Sequence, residues 1–324
     1  VAFVDCAKAI LLALGIMILG GVVIYYAGGW SGFTASFAEI VRNDISYDEN
    51  LTADGFSKKV ALPGSIQYVA SGSQSIGGSW TGIMCMTYMF ALMGIQSSPA
   101  FSMWAFSNKT SRAFRWQQVV ASSLIIGIIL FTFTIIQGIG GHVLILNNII
   151  DNVNDKNLVP KLINLLSFSF PWLVGLLAVC ALAAMQSTGS AYMSTFSAMV
   201  TKDIYLKFFK PNASDKTQKN GGRLIVILVA ILAIFVAANT SSAIVMLGGL
   251  AVAYGFQMYP ALLGLCYFKW FSTKGIVWGL ISGLIAVTLT DKTSVWFGLP
   301  WGSYPLTIHS AGWGIFVNLS LIHI

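Results

Sequence analysis

Long apolar runs, with every charged side chain held at their edges or in the gaps between them, constrain this chain more than any other feature. The runs cover about 7–28, 79–106, 116–139, 170–200, 222–239, 242–268, 275–290 and 305–324. Most approach or exceed the roughly 20 residues that a helix needs to cross the hydrocarbon of a bilayer. All 18 Lys and Arg and all 11 Asp and Glu lie between these runs or at their ends. Only 9% of residues are charged, against roughly 25% in a soluble domain. Mean hydropathy is +0.77, more apolar surface than a soluble core absorbs. Membrane barrels show segments of about ten residues with alternating polarity, a pattern absent here. In lipid the remaining solution is the α-helix, whose backbone bonds close internally. The expected fold class is therefore all-α, a polytopic bundle of about eight spans forming one transmembrane domain over residues 1–324.

The charges also orient the spans. Taking the gaps alternately from the amino end, one set holds 12 basic residues, among them Lys8, Arg115, Lys202, Lys219 and Lys274, with only Asp5, Asp203 and Asp215 opposing them. The other set holds 6 basic and 8 acidic residues. Basic loops stay in the cytoplasm, which places the first residue inside and the chain in the inner (plasma) membrane. The overall charge of +7 thus reads as membrane topology, and a nucleic-acid partner is not expected. The lipid bilayer is the first partner implied.

No initiator Met opens the sequence, and Leu321-Ile322-His323-Ile324 closes it inside an apolar run. The domain is expected to be incomplete at both ends. Cys6, Cys85, Cys180 and Cys266 sit in or beside apolar runs without metal-ligand spacing, which suits packing. His142, His309 and His323 form no cluster. With no acid–base pair, activated nucleophile or metal cluster in reach of the membrane core, an enzyme is not expected. A channel would need a charge ring or carbonyl filter, and none is present.

Two runs carry breaks. In Tyr88 to Pro99, Gly94 loosens the backbone, Gln96, Ser97 and Ser98 are polar, and Pro99 removes a donor. The other break runs from Gly248-Gly249 to Gly255-Phe256-Gln257-Met258-Tyr259-Pro260. Paired broken helices at membrane depth are how secondary transporters build solute and ion sites, although Gly and Pro also serve packing alone. In a third run Ser187, Ser190, Ser194, Ser197 and Thr201 recur at helical spacing and form a hydroxyl stripe. One reading is close helix packing. The sharper one makes Ser187 and Thr188 sodium ligands, since a hard cation selects oxygen and the Ala184 carbonyl lies one turn below. Three oxygens do not replace a hydration shell, so further ligands would have to come from another helix.

This stretch resembles the sodium:solute symporters, the family of proline, pantothenate and sugar transporters. Its members carry a pattern like L-A-A-x-x-S-T followed by T-[KR]-D-I-Y. Here the pattern stands as Leu182-Ala183-Ala184, Ser187-Thr188 and Thr201-Lys202-Asp203-Ile204-Tyr205. Gly94-x-Gln96, Pro260 to Leu265 with Lys274-Gly275, and Trp313-Gly314 with Val317-Asn318-Leu319 extend the likeness. The resemblance implies a partial five-plus-five inverted-repeat fold of the LeuT type. This chain would supply the last helix of the first repeat and all of the second, without the amino-terminal core helices. It implies Na⁺-coupled symport of a small organic solute, an amino acid or carboxylate, by alternating access. It also assigns Ala184, Ser187 and Thr188 to half of a sodium site, and gives Tyr88, Gln96, Ser97, Ser98 and Gln257 as solute contacts. Sodium would be the coupling ion, with no other cofactor. The alternative is a symporter-like sensory or regulatory membrane domain of a signalling protein.

Overall fold

The computed structural model describes residues 2–47, 51–52, 55–61, 64, 80–151, 157–167, 170–239, 244–292 and 304–322. In chain order the helices are α1 (Ala2–Tyr26), α2 (Gly29–Ser46), α3 (Gly82–Leu92), α4 (Gly94–Ser97) and α5 (Pro99–Phe106). Next come α6 (Arg112–Val120), which continues through a π-helical stretch Ala121–Leu130 into α7 (Phe131–Leu146), and the short α8 (Leu158–Asn164). The long α9 (Pro171–Met199) runs on as a second π-helical stretch, Val200–Phe209, before α10 (Asp215–Asn239). The series ends with α11 (Ile244–Phe256), α12 (Tyr259–Cys266), α13 (Thr273–Thr290) and α14 (Ser310–Leu321). Among the described residues six helical stretches are long and apolar enough to cross a membrane.

The other two apolar runs are divided. Residues 82–106 fall into three helices: a turn at Met93 parts α3 from α4, and α4 ends where Ser98 is extended (φ −60, ψ 132) and Pro99 cannot donate to the turn before it. In 305–324 the helix is only Ser310–Leu321, about 18 Å at 1.5 Å per residue. Its start is delayed by left-handed backbone at Tyr304, Leu306 and Thr307, and the His309 side chain caps it by accepting from the Ala311 amide at 3.3 Å. His323 lies outside the described residues. Elsewhere the boundaries follow local chemistry. Pro171 occupies the first turn of α9, where its missing N–H is no loss. Ser272 caps α13 by accepting from the Gly275 amide at 2.8 Å.

The chain divides into two compact units, Val1–Arg42 with Asn108–Thr240, and Asn43–Ser107 with Ser241–Ile324. In the first, α1 packs on α7 and α9 around Leu19, Val23, Val143, Leu144 and Leu177. Close approach is possible because a Cβ on Gly15 would stand 2.9 Å from Cys180 Cβ, and one on Gly140 would overlap Val23. Cys180 is thus a buried, free packing residue. The Gln137 amide is satisfied by donating to the Ile16 carbonyl at 2.8 Å.

In the second unit α13 and α14 form the tightest pair. Gly275, Gly279 and Gly283, one turn apart, are all buried. A side chain on them would meet Ile322, Asn318 and Gln257 respectively. This is the small-x-x-x-small solution by which membrane helices gain van der Waals contact without a hydrophobic driving force.

Candidate functional site

The hydroxyl stripe is real and faces several environments. All its serines lie on α9, and Thr201 lies in the first turn of the π-helical continuation. Ala184 and Ser187 are half-buried and Thr188 is exposed. Ser190 turns back on its own helix and donates to the Ser187 carbonyl at 3.1 Å. Ser194 does the same to the Ala191 carbonyl at 3.1 Å. Ser197 instead reaches across to α10 and donates to the Gly222 carbonyl at 2.8 Å. Among the described residues the hydroxyls of Ser187 and Thr188 make no hydrogen bond within the protein. These two hydroxyls and the Ala184 carbonyl, which keeps a second lone pair, are oxygen donors, the atom type that a hard cation selects.

The solute candidates belong to the second unit, where the two broken spans meet at their breaks. A Cβ on Gly94 would lie 2.3 Å from the Phe256 nitrogen and 2.5 Å from its Cα, and Gly255 faces the Gly94 carbonyl. The backbones therefore touch directly. At Gln257 and Met258 the amides bond to Tyr254 and Gly255, three residues back, so the ladder tightens into a turn ahead of Pro260.

Around this junction the five residues are not equivalent. Gln96 is exposed and Ser98 half-buried. Ser97 is 5% exposed, and its hydroxyl has no hydrogen-bond partner among the described residues. Tyr88 is half-buried, its ring edge-on to His309 with centroids 4.8 Å apart and to Trp80 at 6.0 Å. Gln257, 1% exposed, is committed to the protein. Its amide donates to the carbonyls of Ala253 at 3.2 Å and Ala311 at 3.4 Å. Asn318 donates to the Gln257 carbonyl at 2.8 Å and its side-chain oxygen at 3.4 Å.

Sequence reasoning overlooked a polar cluster beside Tyr88. Asp291, buried at the end of α13, accepts from the Ser310 hydroxyl at 2.6 Å. His309 stacks on Tyr304 at 5.7 Å, and its amide donates to the Thr87 hydroxyl at 3.0 Å. Burial, helped by the nearby Asp291 and Tyr88, pushes the Tyr304 hydroxyl well above the usual tyrosine range. The available signal was the pair Asp291 and His309, one just after the run 275–290 and the other inside the last apolar run.

Comparison with known proteins bears on all of this. The family model described as the sodium:solute symporter family matches residues 1–283. A sodium/proline symporter of Haemophilus influenzae is 35% identical over 118 residues, 36% of this chain and 23% of that protein. The osmoregulated proline transporter OpuE of Bacillus subtilis is 33% identical over 126 residues, 39% of this chain and 26% of that protein. Among solved structures, the substrate-bound outward-open state of a Na⁺-coupled sialic acid symporter aligns over 99% of this chain and 60% of its own, at TM-score 0.67 and 17% identity. The chain thus matches about a quarter of the length of these curated relatives and spans 60% of that symporter. The all-α, LeuT-type membrane bundle expected from the sequence is the fold it shares.

Proposed function

Because this chain belongs to the sodium:solute symporter family, we propose that it works in a secondary active transporter that couples entry of a small organic solute to entry of Na⁺. The observation that carries the reading is the pair of hydroxyls at Ser187 and Thr188, unspent on the protein and set one turn above the Ala184 carbonyl. These three residues supply half of the ion site in this reading. The sodium gradient and membrane potential supply the drive, the latter about 2.3 kcal/mol per charge per 100 mV. Sodium is the coupling ion, and no further cofactor is invoked.

The solute is an amino acid or carboxylate such as proline, in keeping with the named relatives. Neither broken span has a charged side chain, so a zwitterion is held by hydroxyls, amides and helix ends. Tyr88, Gln96, Ser97 and Ser98 contact it. Gln257 acts by fixing the turn against which Gly94 rests. The basic face of the membrane domain is cytoplasmic, with the first residue inside.

The test is uptake into proteoliposomes under an inward Na⁺ gradient, with labelled proline, other amino acids and sialic acid offered separately. Ser187→Ala with Thr188→Ala should abolish the Na⁺-dependent component while the protein still inserts and melts normally. Uptake that stayed fully Na⁺-dependent would overturn the ion assignment. Thiol labelling from one side of Lys216→Cys against Lys58→Cys checks the orientation.

A further inference from the structure

The segment Thr201-Lys202-Asp203-Ile204-Tyr205 carries the family likeness, yet neither the ion nor the solute reading uses it. It borders a cavity of about 760 Å³ between the carboxyl-terminal end of α9 and α10. On α10 the lining residues Asp215, Lys219, Gly222 and Val226 recur at helical spacing, as do Ser194, Ser197 and Thr201 opposite them. The Ser197 bond to Gly222 ties the two sides together. The helices approach closely there, since a Cβ on Gly222 would stand 3.0 Å from Ser197 Oγ and 3.7 Å from Thr201 Oγ1.

Three features of this cavity point to one kind of occupant. Lys202, Lys219 and Arg223 line it against a single acid, Asp215, and none of the three bases has an ion-pair partner among the described residues. Thr201 is 6% exposed, and its hydroxyl is left without a hydrogen-bond partner among the described residues. Burying such a donor unsatisfied is costly, whereas a phosphate oxygen would satisfy it. Finally, Val226 and Ile227 continue the lining in apolar form. They lie on a long apolar span, none of whose residues 215–238 is buried, so a hydrocarbon chain leaving the cavity would find a matching surface. A free phosphate would leave that apolar wall uncovered.

We propose that this cavity is a binding site for an anionic phospholipid, with Lys219, Arg223 and Thr201 holding the phosphate-bearing headgroup and Val226 and Ile227 guiding an acyl chain. Arg supplies a planar fork suited to two phosphate oxygens, and Lys a mobile point charge. The site sits on the side of the membrane where the basic residues collect, which is where anionic lipid attracts them. It stands apart from the ion and solute reading and survives that reading's failure.

The experiment is native mass spectrometry of the purified chain, released from micelles containing equal amounts of phosphatidylglycerol and phosphatidylcholine with matched acyl chains. One phosphatidylglycerol should be retained in preference to phosphatidylcholine. Lys219→Gln with Arg223→Gln should lower that retention roughly tenfold or more. Both side chains are exposed, so the fold is indifferent to the change, and Lys219→Arg with Arg223→Lys should restore binding. Thr201→Val should weaken retention by a smaller factor. Lys269→Gln with Lys274→Gln, which removes two bases of the same side outside the cavity, should leave it unaltered. Equal retention of the two lipids, an equal loss from the Lys269 and Lys274 pair, or displacement by inorganic phosphate alone would each overturn the proposal.

Discussion

The polar knot at the end of α13 and the hydroxyl stripe of α9, one in each unit, treat their polar side chains in opposite ways. In the second unit Gln257, Asn318, Asp291 and Ser310 are buried and bonded to one another or to backbone, closing a knot among α11, α13 and α14. In the first unit the α9 stripe is graded. Ser197 is tied to a neighbouring helix, Ser190 and Ser194 bond only to their own turn, and Ser187 and Thr188 are free. The difference teaches how to sort polar residues in a membrane helix. Those closed on the protein specify packing, and those left over are available to an ion, a solute or a lipid.

The contrast can be broken from the packed side first. Gly94→Val drives a branched side chain into the Phe256 backbone, which has no rotamer to yield. It should cost about 3 kcal/mol or more, seen as a large fall in melting temperature in detergent. Asn318→Ala removes both bonds to Gln257 and leaves its buried carbonyl without that donor. A loss of about 2 kcal/mol is expected by the same assay. Ser197→Ala deletes the single bond to Gly222 and should cost about 1 kcal/mol. Ser190→Ala removes only a bond within its own helix and should stay within about 0.5 kcal/mol of the parent. If Ser190→Ala cost as much as Asn318→Ala, the sorting would fail.

Much of this was legible in the sequence because it is local. Apolar runs, the Gly94 and Pro99 break, the α9 hydroxyl period and the caps are each written within about one to five turns of chain. The Gly275, Gly279 and Gly283 face was legible too, as a four-residue repeat of a small side chain, and needed only to be counted. What local pattern does not encode is which distant element supplies a partner. The His309 amide meets Thr87 across 222 positions, and Gln257 meets Asn318 across 61. Gln257 therefore looked available to a solute, and its amide proves to be shared between Ala253, one turn back, and Ala311, 54 positions away. His309 looked isolated for the same reason. The run at 305–324 looked like one full span, because hydropathy is blind to the left-handed backbone that delays its helix.

The meeting of Gly94 with Phe256 has a mechanical consequence. A joint made of backbone against backbone has no side chain to flex, so it behaves as a bearing without play. A tilt of the turn that carries Gln96 and Ser97 therefore has no clearance against Phe256, and the next residue, Gln257, is bonded to Asn318 of α14. The two breaks form one backbone joint, in which neither can be displaced toward the other.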